Sequence, residues 1–222
     1  MNHWFNTIDY TIPEHIFFAV GCFMWVIVYL IIIRNIHRIG FIEIPMVAIC
    51  ANFAWEFLWS WVFMTDMGLV YVWGYRIWFF LDCYIVYSVF KLGYKQLISL
   101  PKSFAKGIMT GGLIASFFIL YFYIKNYDAP VSHMGAYSGY VLSVLMSALF
   151  ISLVVRKREI ALFSETNAWL KFIGTFLVTI FCFLHFSDWF LLSMGVVTAV
   201  LDVFYLTFYY QLKKGKLNFM EG

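Results

Sequence analysis

Charge is what this sequence has least of. Of its 222 residues only 12% are Asp, Glu, Lys or Arg, against 64% hydrophobic and 23% aromatic, and the mean hydropathy is +0.84. A soluble domain carries about twice that share of charge, so the composition places the chain in a bilayer. Cysteine is scarce too. Cys22, Cys50, Cys83 and Cys182 all fall inside apolar runs, without the close pairing of a zinc site or the loop placement of an extracellular disulfide framework, and read as small buried apolar residues. None of the four prolines lies in the core of a long apolar run. No basic patch points to a nucleic-acid partner. The residues before the first apolar run, MNHWFNTIDYTIPEH, hold no Lys or Arg and no small-residue cleavage site follows, so that run is expected to be a retained span rather than a signal peptide. Pro13 and Glu14 read as helix-start chemistry.

What is present is a series of apolar stretches, each close to the about 20 residues that a spanning helix requires. Seven qualify, at 16–34, 43–65, 70–91, 104–124, 136–155, 168–187 and 189–211. The connections are short, and the expected architecture is all-α: a seven-transmembrane helical bundle forming one integral-membrane domain over 1–222. Basic residues gather at alternate connections: Arg34 and Arg38; Lys91, Lys95, Lys102 and Lys106; Arg156, Lys157 and Arg158; Lys213, Lys214 and Lys216. The opposite connections hold only Lys125. The positive-inside rule then puts the N-terminus outside and the C-terminus in the cytoplasm. The small residues of TGGLIAS, 110–116, are expected to serve close helix packing.

Three acids lie far from any connection: Glu56, Asp82 and Asp202. At 1.5 Å per residue their depths fall within a layer of ~6 Å near the midplane, so they are expected to share one cavity. Even by low estimates, a centrally placed Asp costs about 2.5–3.5 kcal/mol to insert, and such groups normally face the bundle interior. Helical spacing puts Asn52, Glu56 and Trp59 on one face, Tyr75, Trp78 and Asp82 on another, and Asp202, Tyr205 and Tyr209 on a third. An apolar surrounding disfavours a charged carboxyl and a neighbouring carboxyl disfavours a second charge, so at least one acid is expected to stay protonated and serve as a Brønsted acid. The alternative is structural, with the acids paired to hydroxyls or to Arg76. Trp4, Tyr71, Trp73 and Trp189 are placed as interfacial anchors. Trp55, Trp59, Trp78 and Tyr205 lie at the depth of the acids, where ring faces can stabilise a carbocation.

These residues carry a family resemblance. The runs RNIHRIGFIEIPMVAICANFAWEFLWSWVF, RIWFFLDCYIVY, AYSGYVLSVLMSALFISLVVRKRE, WLKFIGTF and VLDVFYLTFYYQL resemble the small integral-membrane terpene cyclases of meroterpenoid and indole-diterpene pathways, the pyripyropene and paspaline cyclase type. The most specific pieces are N-x-x-W-E (Asn52, Trp55, Glu56), R-x-W-x-x-x-D (Arg76, Trp78, Asp82) and Asp202 with the aromatic that follows it. The resemblance implies seven spans, and it implies Glu56 and Asp202 as the residues that act in protonation. Asn52, Trp55, Trp59, Arg76, Trp78, Asp82, Tyr205 and Tyr209 are then substrate-binding or supporting residues. The implied reaction is protonation of an epoxide or alkene on a prenyl chain, followed by carbocation cyclisation. The D-D-x-x-D run that ionises a diphosphate through Mg2+ is absent, as are a P-loop and a His-rich cluster. No metal and no cofactor are expected. The expected partners are a lipophilic prenylated small molecule and the bilayer, with no nucleic acid and no obligate protein.

A competing reading is a seven-helix transporter or proton-pathway protein in which Glu56, Asp82 and Asp202 relay ions. No internal repeat or matched pair of broken helices supports it. A retinal protein is excluded because 189–211 holds no lysine for a Schiff base. His133 and His185 read as interfacial histidines rather than ligands.

Overall fold

A computed structural model describes residues 3–93 and 101–215. Lys95 and Lys216, both used in the orientation argument, lie outside the described residues. Among the described residues the fold is all-helical: α1 (Ile12–Ile39), α2 (Met46–Phe57), α3 (Leu69–Leu92), α4 (Lys102–Tyr123), α5 (Ala129–Ser132), α6 (Ala136–Lys157), α7 (Glu165–His185) and α8 (Trp189–Lys213). Wider π turns, Leu58–Val62 and Ile124–Asp128, continue α2 and α4. Six of the helices are long and apolar enough to cross a membrane, counting α4 with its extension to Ser132, while Met46–Val62 is a shorter apolar helix.

Helix ends follow local chemistry and extend several of the expected spans. Thr11 and Glu14 form a capping box with Pro13 in the first turn, which starts α1 before the apolar run begins. Ser164 accepts from the Asn167 N–H at 3.2 Å and Asp188 from the Leu191 N–H at 2.8 Å, so α7 and α8 begin at side-chain caps.

The helices close a ring in which α1 packs on α7, α7 on α8, α8 on α6, α6 on α2, α2 on α3 and α3 on α1. Helix α4 packs outside the ring against α2. Of its small residues, Gly112 approaches α2, with Cys50 Sγ at 3.9 Å from where its Cβ would be, whereas Gly107 and Gly111 face open space. The crossing of α1 on α7 is close, and a Cβ on Gly21 would lie 2.7 Å from the Gly174 carbonyl.

Polar contacts seal both ends of the ring. At one end the N-terminal segment lies over the α2–α3 connection, with the Asn6 N–H donating to the Met67 carbonyl at 2.8 Å and the Leu69 N–H to the His3 carbonyl at 3.1 Å. Gly68 is required there: its φ is +123° and a Cβ would meet the Trp4 carbonyl at 2.5 Å. His185 belongs to this end, stacked on Tyr10 at 4.5 Å and beside Glu14 at 3.3 Å. At the other end Glu43, in the α1–α2 connection, is fully buried and accepts from the Ser164 N–H at 3.1 Å. Burial pushes its carboxyl up to about 7, against the lowering effect of the hydrogen bonds it accepts. Between the seals, one packed cluster surrounds Trp55, Trp59 and Tyr75, another surrounds Phe150 and Tyr205, and Trp78 touches both.

Candidate active site

The interior cavity is lined from α1 by Phe18, Cys22, Trp25 and Tyr29, and from α2 by Asn52, Trp55 and Glu56. Tyr75 and Trp78 of α3 close another side, and residues of α6 and α7 complete the wall. Its single acid is Glu56, which is 1% exposed. The Tyr29 hydroxyl donates to Glu56 Oε1 at 2.6 Å, and Asn52 Nδ2 donates to the same oxygen at 2.8 Å. Asn52, one turn before Glu56, also reaches Asp82 Oδ2 of α3 at 2.9 Å and the Tyr29 oxygen at 2.5 Å. The amide has two N–H groups for these three acceptors, so the network has more acceptors than protons to share. No amide, amine or hydroxyl donor among the described residues reaches Glu56 Oε2 or Asp82 Oδ1, the two carboxyls lie within hydrogen-bond reach of each other, and neither acid is in an ion pair there.

The aromatic wall is held by its own hydrogen bonds. The Trp55 indole N–H donates to Ser138 Oγ at 2.7 Å and that of Trp59 to the same oxygen at 3.3 Å. Ser138 Oγ donates in turn to buried Asp128, which also accepts from the Ser138 N–H at 2.7 Å. Gly135 (φ +92°) makes room, since its Cβ would lie 2.8–2.9 Å from the Trp55 and Trp59 rings. Tyr75 stacks on Trp78 at 5.4 Å and donates to the Met134 carbonyl at 2.9 Å.

The structure therefore brings together Glu56, Asn52 and Asp82, with Trp55 and Trp78 on the cavity wall. Trp59 is buried behind that wall. The expected convergence of Glu56 with Asp202 is not what the fold produces. Asp202 is buried but does not line the cavity; it is hydrogen-bonded and ion-paired to Lys171 of α7. The same ammonium donates to Ser147 Oγ of α6 at 2.7 Å. A buried carboxylate finds its lowest free energy beside this cation, and the pairing is set by helix packing rather than by depth alone. Arg76 neither reaches an acid nor lines the cavity: its guanidinium stacks over Trp61 and Trp73, 4.3 and 4.8 Å from the ring centres, and donates to the Ser60 carbonyl at 3.4 Å. Tyr205 packs on Phe150 at 5.6 Å, and it and Tyr209 are buried away from the cavity.

Tyr29 and Lys171 are the participants that sequence reasoning did not single out. Tyr29 is one phenol in a chain with fifteen tyrosines, and Lys171 sits near the start of a span, where an interfacial lysine is unremarkable. The available signal was polarity: Tyr29 is the polar side chain in the otherwise apolar run WVIVYLIII.

A helical bundle with six helices long and apolar enough to cross a membrane, enclosing an aromatic-walled cavity with one buried carboxyl, defines a class: an integral, multi-pass membrane protein. Residues 8–215 match the model of the Pyr4-like transmembrane terpene cyclases, and the chain belongs to that family. It is similar to the Pyr4-family terpene cyclase mfmH of Annulohypoxylon moriforme, with 26% identity over 137 residues, 61% of this chain and 55% of the relative. The match thus spans little more than half the length of that curated relative. No solved structure matches.

Proposed function

We propose that this chain is a membrane-embedded, metal-independent terpene cyclase in which Glu56 protonates an epoxide or alkene of a prenylated substrate. The observation that carries the reading is a buried carboxyl, Glu56, in the wall of an aromatic-lined cavity with no cation paired to it among the described residues, its Oε1 held by Tyr29 and Asn52. Two buried carboxyls sharing one amide, with no cation paired to either among the described residues, hold at most one negative charge until a substrate cation forms beside them. In the proposed working form Glu56 holds the transferable proton, and Asp82, whose Oδ2 accepts from the same amide, is its buried neighbour. Proton transfer from Oε2 opens the epoxide C–O bond or adds to the alkene carbon, and successive double bonds of the chain attack the developing cation to close rings. The final cation loses a proton or is captured by a nucleophile. The carboxylate left on Glu56 is stabilised through Oε1 by the Tyr29 and Asn52 donors, which are in place before the reaction. Ring faces of Trp55, Trp78 and Tyr75 stabilise the cations, and the sealed bundle ends keep out water that would quench them.

The reading includes a bundle of seven spans, with Met46–Val62 as the short one and the N-terminus outside. Met46–Val62 has a length of roughly 25 Å at 1.5 Å per residue, close to the about 30 Å of hydrocarbon to be crossed. Asp202 contributes through its ion pair with Lys171, which ties α7 and α8 to Ser147 of α6 beside the cavity, one residue from the lining Met146.

The test is turnover of candidate epoxidised prenyl substrates by membranes containing the parent or Glu56→Gln. The amide keeps the shape and the acceptor oxygen but has no acidic proton. Loss of cyclised product by roughly 10²–10⁴-fold, the range of general acid catalysis, is expected with the protein still folded. Unchanged turnover by the variant overturns the assignment.

A further inference from the structure

Side chains bridge α6 and α7 in rungs. The Tyr140 hydroxyl donates to Thr179 Oγ1 at 2.8 Å, and Lys171 Nζ donates to Ser147 Oγ at 2.7 Å. The two helices run antiparallel, so one turn from Thr179 toward Lys171 is Thr175, and about one turn from Tyr140 toward Ser147 is Ser143. These two form the middle rung. Each flanking rung has one long side chain that crosses the gap, whereas the middle rung has two short ones that do not meet.

Both Ser143 and Thr175 line the cavity. Thr175 is 5% exposed, and its Oγ1 is buried without a hydrogen-bond partner among the described residues. Ser143 likewise makes no hydrogen bond to another described residue. Hydroxyls in apolar helices commonly turn back to the carbonyl one turn earlier. Ser88, Thr179 and Thr198 do so in this chain. Thr175 and Ser143 depart from that habit where both residues of a rung line the cavity, and a buried hydroxyl left unbonded is unfavourable until something meets it.

We propose that Ser143 and Thr175 form a hydroxyl slot that binds a neutral oxygen of the substrate, a hydroxyl or carbonyl carried by the prenylated molecule apart from the group that Glu56 protonates. Hydroxyls both donate and accept, so the pair takes either oxygen type. The nearby ammonium of Lys171 is already engaged by Asp202 and Ser147, which leaves no charge for a phosphate or carboxylate. The slot would fix which end of the chain faces the acid. The identity of the guest rests on the cyclase reading; the hydroxyl slot does not require turnover, so binding tests it separately.

The experiment titrates the full chain in lipid nanodiscs with farnesol and with β-farnesene, the corresponding hydrocarbon lacking the oxygen, and follows quenching of tryptophan fluorescence. The parent is expected to bind farnesol about tenfold more tightly, the worth of one or two neutral hydrogen bonds. In the double variant S143A/T175V the ratio falls to near one while β-farnesene affinity stays at the parent value, which also reports an intact fold. Should that double variant misfold, T175V alone, a near-isosteric change, is expected to lower the ratio at unchanged β-farnesene affinity. Equal affinities in the parent, failure of either ligand to bind, or a ratio unmoved by the substitutions overturns the proposal. A collapsed ratio in a protein that cyclises nothing retains the slot and removes the cyclase reading; cyclisation with an unmoved ratio does the reverse.

Discussion

At the scale of single residues, Glu56 depends on Tyr29. In the proposed mechanism the phenol donates to the oxygen that does not carry the transferable proton, so its hydrogen bond would strengthen as the carboxylate forms. Tyr29→Phe removes one of the two donors on Oε1 and the oxygen that Asn52 meets at 2.5 Å, while the ring still fills its place between Trp25 and the core. The expected result is a fall in kcat of roughly a hundredfold, as for loss of one preorganised donor, with KM nearly unchanged. Steady-state kinetics in membranes checks it, and a rise in KM at constant kcat would make Tyr29 a binding residue instead. This is also where sequence legibility ends. Glu56, Asn52 and Asp82 stand out in the sequence because each is a polar group in an apolar run whose cost demands a reason, and Asn52 precedes Glu56 by one helical turn. Tyr29 does not, since a phenol fits a hydrocarbon interior at little cost and the neighbour that makes it matter comes from another helix.

At the scale of elements, the informative contact is the one between Lys171 and Asp202, which joins α7 to α8. Depth along a helix is readable from sequence, and it correctly puts Asp202 in the middle of its span. Rotation about the helix axis relative to other helices is not readable, and rotation decides that Asp202 meets Lys171 rather than Glu56. The energetic consequence is asymmetric. Asp202→Asn keeps an acceptor oxygen but removes the counter-charge of a buried ammonium, leaving it only neutral partners, a change worth about 3–5 kcal/mol, whereas replacing both partners with apolar residues of similar volume is often neutral. A thermal unfolding series in detergent is therefore expected to rank the parent and the K171M/D202L double variant together, with D202N well below both. Cyclisation is expected to follow the same order. A double variant that is as stable as the parent yet inactive would show that Asp202 takes part in the chemistry directly.

At the scale of the whole molecule, the bundle is asymmetric in charge. The described cations Arg34, Arg38, Lys91, Lys102, Arg156, Lys157, Lys213 and Lys214 lie at the ends of α1, α3, α4, α6 and α8 that share one side of the ring, together with Glu43 and its seal. The opposite side is closed by the N-terminal segment and holds Lys125. Cations near span ends resist translocation, so the proposed orientation has the basic side facing the cytoplasm and the segment from residue 3 to α1 across the membrane from it. In sealed microsomes whose cytoplasmic face is outward, a thiol placed at the exposed Ile8, 90% accessible, is then expected to react with an impermeant maleimide only after detergent is added. A C-terminal epitope tag is expected to be cut by protease without detergent. Under the seven-span proposal, the odd number of crossings is what would place the two ends on opposite sides. Protection of both sites, or access to both, would mean that Met46–Val62 does not cross and that the ring of helices is built from six spans rather than seven.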